Sequence, residues 1–538
     1  MKRYTYLIFF IAILTCHSLS QWSADPTQNL IVGYGLNPEI CSDSAGGCYI
    51  TYEQNLGYPR HLILERLNRY GYKPWGNGKQ ILGELPEQWI AKITEDGRGG
   101  VIIAYVDDYD SGFTSGARVR VQRVDSSGNL LWGAGGVRVS VSEANQGYQA
   151  VVSDENGGCI VAWVDTAGDL WINRIDNTGM RVWGDSGKYV WNSPQQNPMI
   201  SDGSGGCYML YGIGRLQRFD HNGNMYWPSS GILVKSAFQL RVDSLRNVYL
   251  LNKNILGYKN SQLLFTLNLQ KVDSNGVLQW DSSGVILDTL NTNYYMVYDF
   301  ALKNGYSWIG WSQFKDSVWD VRTQIVRCDG TKIFPNQGIW VSTVKSQKVF
   351  QWMISSTNSS IFVWADSRSA LGIYAQAIDT LGERIWKPND VGIVLQSIGG
   401  LVIASDGNGG CILAGFRETD FTIRAQQVSR DGNLGEVITV IREDATKQLP
   451  GNFTLYQNYP NPFNPTTSIS YSLPSNQWIS LKIYAVLGKE IRSLYQGKQT
   501  EGKHVILFDG DHLASGIYLF VVRPERSPPQ TRKLLLLK

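Results

Sequence analysis

Two short patterns recur along residues 22–441, and this repetition restricts the fold more than any other feature of the sequence. The first is a Ser-Asp turn with two glycines and a Cys, followed by an apolar run, with copies beginning at Ser42, Ser153, Ser201 and Ser405. Residues 96–101 repeat the turn with Val in the Cys position. The second is an alternating strand, an Asp, a glycine-bearing turn and an aromatic residue. In successive copies the aromatic residue is Trp75, Trp132, Trp183, Trp227, Trp280, Phe334 and Trp386.

The spacing of the second pattern predicts the architecture. Six steps lead from Trp75 to Trp386, so the mean period is about 52 residues, near the longer end of β-propeller repeats. Each period reads as four short strands between turns; the third unit predicts strands at 148–153, 159–164, 170–175 and 181–190. We therefore expect an all-β chain in which residues 21–441 form an eight-bladed β-propeller. Seven blades and two packed sandwiches are the alternatives.

The repeated tryptophans are interpreted as spacers between blades: Trp75, Trp132, Trp183, Trp227, Trp280 and Trp386. A ligand-stacking role is the alternative, but a side chain at one position of most units meets the neighbouring unit each time. Burying one Trp removes about 150–250 Å² from water, about 4–6 kcal/mol per unit before entropy. The Asp-turn-Gly-Trp layout is similar to the tryptophan docking motif of quinoprotein-type propellers, with the Asp-to-Gly spacing one residue shorter. That resemblance concerns blade packing and implies no quinone cofactor.

The two ends of the repeated region differ from the pattern. The eighth unit has Glu436 where the Trp is expected, whereas Trp22 precedes a short apolar strand at 29–32 that has no unit of its own. We predict that this N-terminal strand completes the last sheet and that Trp22 supplies the missing spacer.

The composition gives few signs of chemistry. The chain has 5 His and a formal net charge of +3, and it carries no HExxH, GxSxG or phosphate-binding glycine motif. We expect no metal, no cofactor and no nucleic-acid partner. The cysteines at the repeated position are interpreted as buried small hydrophobes. Cys41 and Cys48, which flank one turn, are the only pair for which the spacing allows a disulfide.

Loops that join the second and third strands and successive units share one face of a propeller, and that face commonly carries function. Its candidate binding residues are Asp107, Asp108, Asp110, Asp165, Asp366 and Arg368. Such carboxylates and arginines suit a glycan, a cation or a protein partner. A solvated polar rim is the plainer interpretation.

The N-terminus predicts export. A basic start, Met1-Lys2-Arg3, precedes an apolar run at 7–14 and small residues at 18–20. This is the layout of a secretory signal peptide, with cleavage between Ser20 and Gln21, and the apolar run is too short to span a bilayer. The rest of the sequence shows no candidate transmembrane segment.

The C-terminus breaks the period near residue 448. The proline-pinned motif Asn458-Tyr459-Pro460-Asn461-Pro462-Phe463-Asn464-Pro465 is followed by Gly488, by Gly516 and Tyr518, and by the terminal Lys538. Alternating segments after the motif predict a small immunoglobulin-like sandwich at 453–538, joined by a linker at 442–452.

These residues resemble the type A C-terminal sorting domain of type IX secretion cargo. The resemblance implies passage through the periplasm, recognition by the outer-membrane translocon and removal of the domain by its sorting peptidase. The product would be released or attached to the cell surface. Ala485 and the Pro-bearing stretch 523–532 depart from the usual pattern.

Together these features predict a secreted or surface-displayed protein that binds a polysaccharide or a surface protein without catalysing a reaction. The rival hypothesis is a secreted carbohydrate-active enzyme, hydrolase or lyase, that uses carboxylates on the loop face.

Overall fold

Only strands, and no helices, form the regular structure of the described part of this computed structural model. It describes residues 21–54, 57, 59–76, 78–81, 86–108, 116–193, 198–291, 298–315, 318–335, 337–356, 358–368, 371–435, 453–458, 461–486, 488–510 and 513–537. The predicted signal peptide with Ser20, the predicted linker at 442–452, and Glu436, Asp110, Tyr459, Pro460 and Lys538 lie outside these residues. The chain divides after residue 438 into two compact units. Among the described residues we find no helix with the length and apolarity of a membrane span.

The first unit contains eight four-stranded antiparallel sheets, numbered here in chain order. Its N-terminal strand is β1 (Leu30–Tyr34). Sheet 1 comprises β2 (Leu36–Ser42), β3 (Cys48–Gln54), β4 (His61–Leu67) and β5 (Lys79–Ile81). Sheet 2 comprises β6 (Glu87–Glu95), β7 (Val101–Asp108), β8 (Arg118–Val124) and β9 (Val137–Arg138). Sheet 3 comprises β10 (Gln146–Ser153), β11 (Cys159–Asp165), β12 (Asp169–Ile175) and β13 (Lys188–Asn192). Sheet 4 comprises β14 (Met199–Ser201), β15 (Cys207–Tyr211), β16 (Arg215–Phe219) and β17 (Ile232–Leu233).

The remaining sheets of this unit follow the same order. Sheet 5 comprises β18 (Ala237–Val242), β19 (Val248–Lys259), β20 (Gln262–Val272) and β21 (Val285–Asn291). Sheet 6 comprises β22 (Tyr298–Lys303), β23 (Tyr306–Lys315), β24 (Val318–Arg327) and β25 (Ile339–Trp340). Sheet 7 comprises β26 (Lys348–Ser355), β27 (Ser359–Asp366), β28 (Gly372–Asp379) and β29 (Val391–Val394). Sheet 8 comprises β30 (Ile398–Ser405), β31 (Cys411–Arg417), β32 (Thr422–Val428) and, as its fourth strand, β1.

The sheets follow one another in a cycle. The first strand of each contacts the first strand of the next, and β2 contacts both β6 and β30. The prediction for the N-terminus is confirmed, because β1 pairs antiparallel with β32 from Leu30 opposite Ala425 to Tyr34 opposite Thr422. In sheets 1 to 4, 7 and 8 the second strands begin with continuous buried runs, and all eight residues of β7 are buried. β19 is buried over its first five residues and partly exposed beyond them.

In sheets 1 to 7 the aromatic residue after the third strand packs on a turn glycine of the next sheet, and Trp22 makes the same contact between sheets 8 and 1. A Cβ added at these glycines would lie 2.5 to 3.1 Å from the ring. The pairs are Trp75 with Gly128, Trp132 with Gly179, Trp183 with Gly223, Trp227 with Gly276, Trp280 with Gly330, Phe334 with Gly382, Trp386 with Gly432 and Trp22 with Gly71. We call this contact between neighbouring sheets a seam. Only a glycine leaves room for the ring, so each seam requires an aromatic residue on one sheet and a glycine at the facing turn of the next.

Hydrogen bonds fix the same contact. The indole Nε1 of Trp183 donates to the His221 carbonyl at 3.1 Å, and Trp386 donates to Arg430 at 2.9 Å. Trp22 donates to the Arg69 carbonyl at 3.0 Å and is only 4% exposed. Trp22 thus makes the contact between sheets 8 and 1 that the other aromatic residues make elsewhere.

The first three strands of the third unit agree with their predicted bounds to within two residues, but the fourth does not. Residues 181–190 were expected to be continuous strand, but Arg181 forms an isolated bridge to Ile175 and β13 starts only at Lys188. Between them Gly184 and Gly187 have φ values of 103° and 76°, which interrupt extended backbone.

The second unit has two antiparallel sheets around its own core. One comprises β33 (Thr454–Leu455), β34 (Thr466–Leu473) and β37 (Gly502–Asp509). The other comprises β35 (Gln477–Ala485), β36 (Glu490–Gln499), β38 (Gly516–Pro524) and β39 (Gln530–Leu536). Buried side chains of both sheets, such as Tyr471 and Ile483, belong to one apolar cluster.

Candidate functional site

The predicted loop-face residues of sheet 2 are buried. Asp107 is 1% exposed and receives the Arg120 guanidinium, with Nε 2.9 Å from its Oδ2. Asp108, beside it at the end of β7, is fully buried. Both carboxylates therefore belong to the interior of the unit rather than to an open face.

Asp165 organises its own hairpin between β11 and β12. Its Oδ1 accepts the backbone N–H of Ala167 at 2.9 Å and of Asp169 at 3.1 Å. Its Oδ2 accepts the Trp171 indole N–H at 2.9 Å. This is the local side-chain-to-backbone bonding that stabilises turns.

Asp366 and Arg368 form a structural pair in sheet 7. The Asp366 carboxylate, 0% exposed, accepts from Trp364 Nε1 at 3.0 Å and from Arg368 Nε at 2.9 Å. Arg368 also reaches Asp390 at 2.9 Å. Burial opposes ionisation of Asp366, but the hydrogen bonds from Arg368 and Trp364 outweigh it and lower the pKa of the carboxyl. The five described loop-face candidates thus belong to three different sheets, and the structure gives each a partner or a buried place within its own sheet.

A buried Asp–Arg pair recurs where no site was expected. The Asp of the two-glycine turn faces an arginine of the third strand at 2.8 to 3.0 Å in sheets 1 to 4: Asp43 with Arg66, Asp96 with Arg123, Asp154 with Arg174 and Asp202 with Arg218. The other carboxylate oxygen accepts two turn amides, as Asp154 does from Asn156 at 2.9 Å and from Gly158 at 2.7 Å. The pair therefore ties a turn to a strand.

The sequence carried a signal for these pairs. Each arginine stands two residues before the polar residue that opens the second pattern, as Arg174 precedes Asp176 and Arg218 precedes Asp220. The second glycine of the turn has its own reason. A Cβ at Gly158 would lie 2.4 Å from the Ile175 carbonyl oxygen, and one at Gly206 would lie 2.2 Å from that of Phe219.

Among the described residues there is no disulfide and no cluster that could hold a metal ion. Cys48, Cys159, Cys207 and Cys411 are free and buried, and burial raises the pKa of each thiol, as expected for small hydrophobes. Cys41 and Cys48 are both free, so the one pair that spacing allowed does not bridge. No group of three His, Cys, Asp or Glu side chains in the described ranges has the arrangement of a metal site.

A cavity that sequence reasoning missed lies where sheets 8, 1 and 2 meet. We call it the inner-strand cavity; it has a volume of about 320 Å³ and is bordered by residues 37–39, 90–92, 400–402 and Glu53. In each of the three bordering strands the register shifts just there, between Leu36 and Glu39, Trp89 and Lys92, and Gly399 and Val402. Such β-bulges change the direction of side chains and backbone groups.

The bulges hold unusual backbone conformations beside the cavity. Asn37, Ile90 and Gly400 have φ values of 51°, 48° and 57°. For a β-branched residue such as Ile90 this conformation is a genuine outlier, with a cost of about 1–3 kcal/mol. The surrounding structure must therefore hold it in place.

Glu53 is the group that holds two of these bulges. Its carboxylate is 3% exposed and accepts the Ile90 backbone N–H at 2.9 Å and the Asn37 Nδ2 at 3.1 Å. Arg60 Nη1 lies 3.4 Å away, and Gln149 Nε2 donates to the Ile90 carbonyl. One buried carboxylate thus links the walls contributed by sheets 1 and 2.

Charged side chains stand at the first residue after the bulges of sheets 1 and 2. Glu39 and Lys92 form an ion pair whose side chains are 28% and 34% exposed. At the corresponding position of β26, Trp352 is 36% exposed, and its Nε1 donates to the Leu401 carbonyl at 2.6 Å. Such a set of groups can hydrogen-bond and stack on a small polar molecule.

In the second unit the proline-rich motif is fastened to the last strand. Phe463 N–H donates to the Leu535 carbonyl at 2.9 Å, and Leu537 N–H returns to Phe463 at 3.0 Å. Asn461 Oδ1 accepts the Leu535 N–H at 2.8 Å. Asn458, 2% exposed, donates to Thr467 Oγ1 at 2.8 Å.

The other described motif residues have local roles in that unit. Gly488 has a φ of 82° in the turn after β35. The Tyr518 hydroxyl donates to the Ala514 carbonyl at 2.8 Å, next to Gly516 at the start of β38. The motif therefore pins the two ends of this unit together.

Residues 457–537 match the family described as the secretion system C-terminal sorting domain. This match shows that the protein is exported through type IX secretion to the cell surface or the extracellular space, and that the tail interacts with the secretion system. No curated protein matches the chain in sequence.

Solved structures resemble the chain only distantly. The BP39L lectin from Burkholderia pseudomallei shares 11% identity over 64% of this chain and 96% of its own, with a TM-score of 0.41. The polysaccharide lyase Uly1 shares 12% over 68% and 94%, with a TM-score of 0.33. An exo-beta-1,3-galactanase from Phanerochaete chrysosporium shares 11% over 81% and 94%, with a TM-score of 0.24. At these scores the likenesses carry no argument about this chain.

Proposed function

We propose that the first unit is an eight-bladed β-propeller that acts as a non-catalytic binding module for a polysaccharide or a surface protein. The cycle of eight sheets and the eight aromatic-on-glycine contacts support the propeller. The inner-strand cavity carries the binding function, because concave sites with a few fixed polar groups are where proteins hold small ligands.

The second unit directs export of the protein. We propose that it is a type A sorting domain with an immunoglobulin-like fold at 453–538, that 442–452 is the linker, and that a signal peptide is removed between Ser20 and Gln21. Two facing sheets and one shared core support the sandwich. The translocon and the sorting peptidase are then its partners, and the propeller is the cargo.

A combined binding and turnover screen tests this function. The full chain is applied to a glycan array and to a panel of candidate surface proteins, and the same glycans are assayed for new reducing ends and for unsaturated uronic acids. Retention of at least one ligand without product is the expected result. Product formation would favour the alternative, a secreted hydrolase or lyase. Absence of any retained ligand would contradict the binding module.

A further inference from the structure

We propose that the inner-strand cavity binds an uncharged, hydroxyl-rich sugar residue of a glycan, with Glu39 and Lys92 as its hydrogen-bonding pair. This inference rests on the proposed binding function and names the ligand class and the residues. A charged glycan or a protein ligand is the competing possibility.

The electrostatics of the cavity favour an uncharged ligand. Glu39 and Lys92 already neutralise each other. The Arg60 guanidinium lies 3.4 Å from the Glu53 carboxylate and 2.5 Å from the Glu87 carboxylate, so these two buried carboxylates share one positive charge and the surroundings disfavour an anion. A carboxylate has about four acceptor sites and an ammonium has three donors, so both partners of the pair can bind hydroxyl groups while remaining together. An anion or a cation would compete with one partner and leave the other charge poorly paired, which is costly when it is partly desolvated.

The dimensions fit a small group rather than a folded partner. About 320 Å³ is at the lower end of the range for small-molecule sites. Trp352, whose indole Nε1 is held by the Leu401 carbonyl, offers a partly exposed ring beside a residue that borders the cavity. An aromatic ring with one polar edge suits a ligand that is apolar on its ring face and polar at its rim.

The residues at this position vary around the cycle. The first residue after the register shift is Glu39 in sheet 1, Lys92 in sheet 2, Ala150 in sheet 3, Gln239 in sheet 5, Trp352 in sheet 7 and Val402 in sheet 8. A structural requirement shared by the sheets would favour one residue type, as it does for the docked aromatic residues. The charged pair occurs only where the cavity lies among these six sheets, and this coincidence favours a ligand over a packing role.

The walls are built in advance of the ligand. The buried Glu53 carboxylate accepts the backbone N–H of Ile90, which has a left-handed conformation, and it also accepts the side-chain amide of Asn37, whose backbone is left-handed too. Strained backbone that the surroundings enforce is concentrated at ligand sites. A preformed site loses less conformational entropy on binding.

Binding of neutral trisaccharides to the full chain tests the proposal. The probes are trisaccharides of glucose, galactose, mannose and N-acetylglucosamine in both anomeric linkages. Glucuronic acid and glucosamine analogues serve as the charged probes. Affinity is measured by titration calorimetry and contact by saturation-transfer NMR. Glu39→Gln and Lys92→Met should each weaken the binding of a neutral probe at least tenfold while leaving the melting temperature unchanged.

A matched control lies in the second unit. Lys482 and Glu490 form an ion pair at 2.9 Å with side-chain exposures of 29% and 43%, so Lys482→Met removes a similar pair that belongs to the second unit and should leave the affinity unchanged. Equal affinity of Glu39→Gln and Lys92→Met with the unchanged chain would overturn this site but not the binding module. Preference for a charged probe would overturn the ligand class. If a surface protein binds and no trisaccharide does, the inference fails and the proposed function stands.

Discussion

The seams between sheets and the inner-strand cavity are built on opposite plans. At the seams one contact recurs: an aromatic ring lies on a turn glycine. Phe334 makes this contact in place of a Trp, and Trp22 makes it from the N-terminal end of the unit. At the cavity, corresponding positions carry residues as different as Glu39, Lys92 and Val402. A residue type that recurs in every sheet indicates a packing requirement shared by all sheets, whereas a residue type that occurs in only one or two sheets indicates a local role.

The largest effect should come from breaking a seam. Trp183→Ala removes a ring that is 6% exposed and leaves a cavity against Gly223, so the free energy of unfolding should fall by about 3–5 kcal/mol. Urea unfolding measures this loss. Trp191→Ala is the matched control, because Trp191 is 36% exposed and should cost clearly less. Equal losses would deny the spacer role.

The buried Asp–Arg pairs should have the next largest effect. Asp154→Ala leaves the Arg174 guanidinium and the amides of Asn156 and Gly158 without their acceptor, which should cost about 3 kcal/mol. Asp125→Ala removes a similar but more exposed turn acceptor and should cost about 1 kcal/mol. The same denaturant series compares them, and a reversed order would show that the pair contributes little.

A buried carboxylate outside the repeated pattern should make stability depend on pH. Burial raises the pKa of Asp288 from 3.8 to about 6, although Trp311 and Thr289 donate to it. The unfolded chain loses this proton first, so the stability is fully present below about pH 4 and falls as the pH rises through 6. The fall is about 3 kcal/mol at 1.36 kcal/mol per pKa unit.

Comparison with Asp288→Asn isolates this carboxylate. Between pH 4 and 7 the unchanged chain should lose stability relative to Asp288→Asn, so the difference between their unfolding free energies should change across this range. Asp220, whose pKa is lowered by the Asn224 and Asn222 hydrogen bonds despite partial burial, should shift in the opposite direction in Asp220→Asn. A pH-independent difference for Asp288→Asn would contradict the burial argument.

The smallest effect on stability should come from the cavity. Glu39→Gln and Lys92→Met remove a partly exposed ion pair, and such pairs contribute about 0.2–1 kcal/mol. Thermal melting should therefore hardly change in either variant. A loss as large as that of Trp183→Ala would make the pair structural and erase the contrast between the two regions.

The sequence predicts the repeated part of this molecule well, because the same packing requirement is visible in the residues of each copy. The period placed the strands, and the orphan Trp22 with its short strand indicated how sheet 8 is completed. The shortened fourth strand in sheet 3 was missed because Gly184 and Gly187 act through local φ values that the apolar pattern does not show.

The candidate site could not be predicted in the same way. Its groups come from three sheets, and a one-residue register shift in each strand decides which side chains border the cavity. The pairing of the predicted loop-face residues was also missed. Asp107 pairs with Arg120 on the neighbouring strand, and strand pairing must be known before such a partner can be identified. Asp366 pairs with Arg368 only two residues further along the chain, but their burial is not visible in the sequence.

Closure of the cycle by the N-terminal strand is the central claim, and a designed cross-link tests it most directly. Ile31 and Arg424 are opposite each other on β1 and β32, and facing residues of antiparallel strands lie within the Cα separation that a disulfide spans. In the chain carrying Ile31→Cys and Arg424→Cys, mild oxidation of the native protein should link these residues within one chain, as identified by mass spectrometry of the joined peptides. A native-state yield of this link no higher than the yield in urea would contradict a closed ring.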